Sequence, residues 1–277
     1  FEMLRYGLAS IVVTTVLVQG TDFNGPKILS APIFYNLESI LKVFETQKHF
    51  MPREVELVLK TFYEDCVFAS DVYPEKNFRK SFIVIEGDNR DSRENIGHKL
   101  ADRIGGRFLQ IPPKCLANFT QLFSGGTMLR RAFFALSLYT AAYNVRQLWA
   151  RNTPVVMNGY WTDQAAFILG KIYRSASHLP PAGSNLYRFP DDLMAPDLIC
   201  YINYYGSLNN PGALDHGPQW RPKMLQIYQR FADQQVIVID GSLGVTRSAE
   251  TIHNYMVKLL PDRCDLSINA PSNISCI

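Results

Sequence analysis

Phe82-Ile-Val-Ile-Glu-Gly-Asp-Asn-Arg-Asp-Ser-Arg-Glu-Asn-Ile96 decides the fold. The apolar run Phe82–Ile85 reads as a buried strand, Glu86-Gly87 as a turn, and a helical pattern follows from about Ser92 to Ile104. Strand, Gly turn and helix N-terminus form the setting in which G-x-x-x-x-G-K-[ST] cradles phosphates on backbone N–H groups. Here the frame is kept and the chemistry is changed. Counting from Gly87, the second Gly is Ser92, the Lys is Arg93 and the Ser/Thr is Glu94. A hydroxyl suited to holding Mg²⁺ has become a carboxylate. Asp88, Asp91 and Glu94 together put negative charge where a polyphosphate would sit.

Working outward, apolar runs recur at Arg107–Ile111, Pro154–Met157, Leu198–Ile202 and Val236–Ile239. Helical patterns alternate with them at Asn95–Ile104, Met128–Trp149, Thr162–Tyr173, Pro222–Phe231 and Ser248–Leu260. Continuous Val/Ile strands separated by helices predict a five-stranded parallel sheet covered on both faces, an α/β fold. Gly87, Asn158, Asn203 and Asp240 then line one edge, where such sheets bind ligands. Before this block, Asn36–Glu64 shows helical periodicity broken at Met51-Pro52, because the residue before Pro avoids the helical region. The organisation predicted is an N-terminal strand and helical arm over 1–77, a main domain over 78–262, and a polar tail over 263–277.

With 277 residues and 47% hydrophobic content, the chain can bury a full core. A net charge of +3 argues against nucleic acid or an anionic membrane as partner. Charged residues are sparse at 19% and aromatics plentiful at 12%, a balance shared by permanent subunits of assemblies and by ordinary compact cores. The five cysteines are dispersed and lack C-x-x-C spacing, so neither a zinc site nor a disulfide framework is expected. Cys200 reads as a buried thiol, and Cys264 with Cys276 as a bridge only in an oxidising compartment. No histidine spacing predicts a metal site. Gly7–Val18, after Leu4-Arg5-Tyr6, resembles a signal-peptide core, yet the β-branched run Ser10–Val18 favours a buried strand. No stretch reaches the roughly 18 apolar residues a membrane span needs. Asn118-Phe-Thr and Asn273-Ile-Ser match the glycosylation triplet, which an Asn-rich chain also produces by chance.

From about Pro32 to Leu260 the chain resembles the thymidylate kinase family, and within it the mitochondrial UMP–CMP kinase branch. The resemblance is carried by Phe82-Ile-Val-Ile-Glu-Gly87, Arg130-Arg131-Ala-Phe-Phe-Ala-Leu136 and Trp161. His178-Leu-Pro-Pro-Ala182, Tyr228-Gln229-Arg230, Val238-Ile-Asp240 and above all Tyr187-Arg-Phe-Pro-Asp-Asp-Leu-Met-Ala-Pro-Asp-Leu198 extend it. It implies a P-loop nucleoside monophosphate kinase-like fold and, by its relatives, a mitochondrial location, with a secreted or other oxidising compartment as the alternative.

The departures from the family pattern fall where phosphate is handled. Beside the changed loop Gly87, Ser92, Arg93 and Glu94, the Asp-Arg-[Tyr/His] motif after the third strand is Asn158-Gly159-Tyr160. The acid that organises Mg²⁺ and the Arg that clamps phosphate are thereby replaced. Gln110 stands where a basic residue usually meets the acceptor phosphate, and Ser137-Leu138 replaces the pair that reads the base. Tyr204–Gln219 lacks the Lys and Arg of the family's lid. Phosphoryl transfer depends on positioning and electrostatic stabilisation, so the resemblance with these losses implies no catalytic residue and no cofactor. It implies a kinase fold kept as an accessory subunit among other protein subunits. An ATP- and Mg-dependent kinase, or a sensor holding a mononucleotide around Phe134, Arg130 and Arg131, are the alternatives. Each of those residues also has a plain reading: Arg130 and Arg131 as a solvated or ion-paired helix start, Phe134 as core. Asp163 is a candidate substitute for the acid missing at Asn158. Tyr204–Gln219 and the tail from Arg263 are the expected contact surfaces.

Overall fold

The computed structural model describes residues 33–66, 79–204, 220–265 and 275–276. Five strands, β1 (Phe82–Gly87), β2 (Arg107–Gln110), β3 (Val155–Asn158), β4 (Leu198–Asn203) and β5 (Val236–Asp240), form one parallel sheet in the order β2-β3-β1-β4-β5. Helices α3 (Arg90–Arg103), α4 (Met128–Ala150), α5 (Trp161–Ile172), α6 (Trp220–Tyr228) and α7 (Val245–Leu259) follow them in turn. This is the expected α/β fold, a five-stranded parallel sheet alternating with helices.

β1 lies in the middle, and every one of its residues is buried. Its alternate side chains enter different cores, as the period of two requires. Phe82 and Val84 join α4, α5 and α6 in one cluster, while Ile83 and Ile85 join α3 and α7 in the other. That double burial is why the strand reads as a continuous apolar run.

α4 is long enough to serve two cores. Leu138, Ala141, Ala142 and Val145 face the sheet cluster, and Ala132, Phe133, Ala135 and Leu136 belong to a third cluster. That third cluster also contains residues of α1 (Leu37–Gln47) and α2 (Pro52–Thr61). Asn36 caps α1 by accepting from the Ser39 amide at 2.8 Å, and Pro52 opens α2, where its missing N–H is no loss. The segment before α1 is tied down by polar contacts. Trp161 Nε1 donates to the Phe34 carbonyl at 2.7 Å, and the Tyr35 hydroxyl to the Leu186 carbonyl at 3.1 Å. Asp192 accepts from the Leu37 amide at 2.8 Å and from the Tyr139 hydroxyl at 2.7 Å.

The structure corrects the cysteine reading. Cys66 and Cys115 form a disulfide across a sequence separation of 49. Cys66 ends the turn Phe62–Cys66 that continues α2, and Cys115 lies in the loop after β2. Sequence spacing carries no trace of that meeting. Cys200 is a buried free thiol, as expected. A short antiparallel pair, β6 (Cys264–Asp265) and β7 (Ser275–Cys276), sets Cys264 opposite Cys276 in register. The expected strand at Ser10–Val18 and all of the lid after Tyr204 lie outside the described residues.

One carboxylate ties the sheet to the chain that leads into and out of it. Asp197, 4% exposed, receives Arg79 through two hydrogen bonds of 2.6 and 3.1 Å, and Arg263 at 2.6 Å. It also accepts from the Phe82 amide at 2.8 Å, which fixes the start of β1. Replacing Asp197 with Asn leaves two half-buried guanidinium groups without a counter-charge. The expected loss is about 3 kcal/mol of unfolding free energy, read from urea titration, and a midpoint unchanged from wild type would overturn this role.

Candidate functional site

β1 ends on Gly87, whose φ is +140°. A Cβ there would lie 2.5 Å from the Ile202 carbonyl of β4, so only glycine fits. Just two residues, Asp88 and Asn89, separate the strand from α3, which begins at Arg90 and not near Ser92 as the sequence pattern predicts. The cause is a cap that the sequence analysis did not single out. The Asn89 side chain accepts from the Ser92 amide at 2.9 Å, and its carbonyl accepts from the Arg93 amide at 3.0 Å. Backbone N–H groups that a phosphate loop turns towards its ligand are here bonded within the helix start.

The side chains of this turn are engaged as well. Arg93, 15% exposed, reaches across to Asp163 of α5 at 3.1 Å. Burial works against its charge, but Asp163, with a further contribution from Glu86, more than compensates and holds the guanidinium above its ordinary range. Gly159, with φ +74°, lies under this pair, and a Cβ there would stand 3.1 Å from Asp163 Oδ2. Asp88 accepts from Trp220 Nε1 at 3.1 Å, at the first residue of α6. Burial raises the Asp88 carboxyl, and the Trp220 bond and Arg221 offset this in part. Ser92 and Glu94 sit half-buried in the first turns of α3.

Glu86 is the group that sequence reasoning missed. It is fully buried at the end of the central strand, an acid in an otherwise apolar run. Its carboxylate accepts from the Tyr160 amide at 3.0 Å and from the Thr162 hydroxyl at 2.7 and 2.8 Å. It thereby holds the N-terminus of α5, for which Tyr160 is the capping residue. Burial, reinforced by the nearby Asp163 charge, pushes the carboxyl up to about 7. Asn158 ends β3 beside Ile85 and Gln110 in register, and its buried Oδ1 has no hydrogen-bond partner.

The fold thus brings Gly87, Arg93, Asn158, Gly159 and Tyr160 to one edge of the sheet, together with Glu86 and Asp163. Arg130, Arg131 and Phe134 stand on the first turns of α4. Arg130 donates to the Thr120 and Phe123 carbonyls at 2.5 and 3.0 Å, and its guanidinium lies 5.3 Å over the Phe134 ring. Phe134 is half-buried against the third cluster, its carbonyl bonded to Gln164 Nε2 at 3.1 Å. Arg131 is half-buried, and burial lowers its guanidinium. Among the described residues, no group of three or more His, Cys, Asp or Glu is placed to hold a metal ion.

The chemistry of Glu86 is visible in stability. A carboxyl that moves from 4.5 to about 7 on folding holds its proton more tightly in the folded chain. Its stabilising contribution is full below pH 4.5, is lost as pH rises to 7, and is flat beyond. Asp88 acts in the same direction. The wild type is expected to lose on the order of 3 kcal/mol through Glu86 between pH 4.5 and 8. Glu86→Gln keeps an oxygen acceptor without the charge, so the variant loses less over that range and is the more stable at pH 8. Urea midpoints across pH for both proteins test this, and parallel curves would sink it.

No protein-family model matches the chain. Over 243 residues it is 26% identical to the human protein "UMP-CMP kinase 2, mitochondrial", an alignment that covers 82% of this chain and 52% of the relative. The chain therefore spans about half the length of the curated relative it matches. Among solved structures, a thymidylate kinase from Candida albicans matches 72% of this chain and 98% of its own, with a TM-score of 0.47 and 15% identity.

Proposed function

We propose that this chain, similar to a UMP-CMP kinase over 82% of its length, is a nucleoside monophosphate kinase-like protein that has given up phosphoryl transfer for a structural role among the subunits of a larger assembly. The observation that carries this reading is the occupied turn after β1. The Ser92 and Arg93 amides are bonded to Asn89, the Arg93 guanidinium to Asp163, and Asp88 to Trp220. A kinase needs donors and positive charge held ready for the developing charge on phosphorus, at the place where this protein has satisfied them internally.

The residues do not fit ATP with Mg²⁺. Glu94 offers a carboxylate where the metal's hydroxyl ligand and the phosphates would meet. Asn158 is a neutral amide, and Asp163 is already neutralised by Arg93. On α4, the bonds from Arg130 to the Thr120 and Phe123 carbonyls support the plain reading of that residue over a nucleotide contact.

A role among other proteins is supported by the helical arm, where Phe50, Leu57 and Tyr63 are 69%, 47% and 56% exposed. Among the described residues, no helix is long and apolar enough to cross a membrane. The relative's name speaks for mitochondria as the location. The Cys66–Cys115 bond speaks for the alternative, a compartment in which disulfides persist.

Melting curves with and without millimolar ATP–Mg²⁺, UMP, CMP and dTMP test the reading. A ligand at about 100 times its dissociation constant adds roughly 2.7 kcal/mol, enough to move a melting curve. The expected result is no shift with any of them, together with co-purification of the native protein in a stoichiometric complex. A shift with ATP–Mg²⁺ followed by turnover, or a free monomer in native extracts, would overturn the proposal.

A further inference from the structure

We propose that Asn118 is a site of N-linked glycosylation, acquired where the Cys66–Cys115 disulfide forms. Asn118-Phe119-Thr120 has the acceptor pattern, in which the hydroxyl two residues on is required beside the amide. The pattern alone is weak, and the fold supplies what the sequence lacks.

The loop between β2 and α4 is anchored on both sides of the triplet. Leu116 and Phe123 are buried in the third cluster, Cys115 is bonded to Cys66, and Arg130 holds the Thr120 and Phe123 carbonyls. Between these anchors the chain makes one short 3₁₀ turn, Ala117–Phe119, none of whose residues is buried. Asn118 is exposed on it, so an oligosaccharide there displaces no packed side chain. Among the described residues its side chain serves no cap or ion pair, unlike that of Asn36 or Asn89.

The second, independent observation is the cysteines. The fold joins Cys66 to Cys115 in a disulfide, and Cys200 is a buried free thiol. Such pairing belongs to proteins matured in an oxidising lumen, where oligosaccharide transfer also occurs. The disulfide requires a protein-disulfide oxidant, which takes up the two electrons and two protons released by the thiols. In glycosylation, the Asn118 Nδ2 attacks C1 of a lipid-pyrophosphate-linked oligosaccharide. The N–C1 bond forms, the C1–O bond to phosphate breaks, the lipid pyrophosphate leaves, and the amide gives up one proton.

The test uses the full-length protein isolated from the cells that make it. Peptide N-glycosidase treatment in heavy-oxygen water should increase gel mobility by one glycan and convert Asn118 to a labelled Asp, read by peptide mass spectrometry. Thr120→Ala should abolish the glycan while Thr120→Ser retains it, with the Cys66–Cys115 peptide intact under non-reducing conditions in both. A chain carrying that disulfide but only unmodified Asn118 overturns the proposal, as does a glycan found at Asn273 alone. Recovery of Cys66 and Cys115 as free thiols from the native protein removes its premise and overturns it equally.

Discussion

A carboxylate placed in the middle of a parallel sheet must be held by something, and in this protein Glu86 is held by the start of α5. It sits at the end of β1, where the strand is flanked by β3 and β4 and no water reaches the side chain. The Tyr160 amide and Thr162 hydroxyl supply its hydrogen bonds, so the entry angle of α5 is fixed to the last turn of the central strand. That angle brings Asp163, one residue further on, to Arg93 of α3. Strand end, α5 and α3 are coupled through two acids and one guanidinium.

The coupling explains why glycine follows both strands. Gly87 must pass against the Ile202 carbonyl, and Gly159 must pass beneath the Arg93–Asp163 pair. A side chain at either place would push apart the elements that the charges draw together. The loop after β1 is only Asp88-Asn89, because Asn89 caps α3. Capping converts residues that would otherwise wrap around an anion into the first turn of a helix. The trade is local, and it needs no change in the order of the strands.

Much of the scaffold was legible in the sequence because burial on both faces leaves a direct trace. Phe82–Ile85, Pro154–Met157 and Leu198–Ile202 are continuous apolar runs, and each lies in or overlaps a strand of the sheet. The altered loop was legible too, since Ser92, Arg93 and Glu94 stand at counted positions after Gly87. What could not be read was who meets whom. Asn89 as a cap is a local signal, an Asn three residues before a bonded amide, but the charged run around it masks the helix start. The pairs Asp88–Trp220, Arg93–Asp163 and Cys66–Cys115 join residues far apart in the chain, and periodicity carries no information about such meetings. Glu86 reads in the sequence as part of a turn, so its place inside the strand and its partners on α5 were not legible.

If phosphate chemistry has been given up, as proposed, the acids at this edge of the sheet still need partners. Removing the cationic and metal-holding groups while leaving Glu86, Asp88 and Asp163 would strand like charges near one another in a poorly hydrated place. Here each acid has found an internal donor: Thr162 and the Tyr160 amide for Glu86, Trp220 for Asp88, Arg93 for Asp163. Arg93 is central to this, because in the position of the loop's lysine it has the length and the forked donors to cross to α5, which a compact ammonium lacks. Arg93 is thereby a structural tie between α3 and α5. Once that tie stands, a phosphate entering the turn would have to break it and displace Trp220 from Asp88. On the proposed function, retention of the fold and exclusion of the ligand would follow from the same set of bonds.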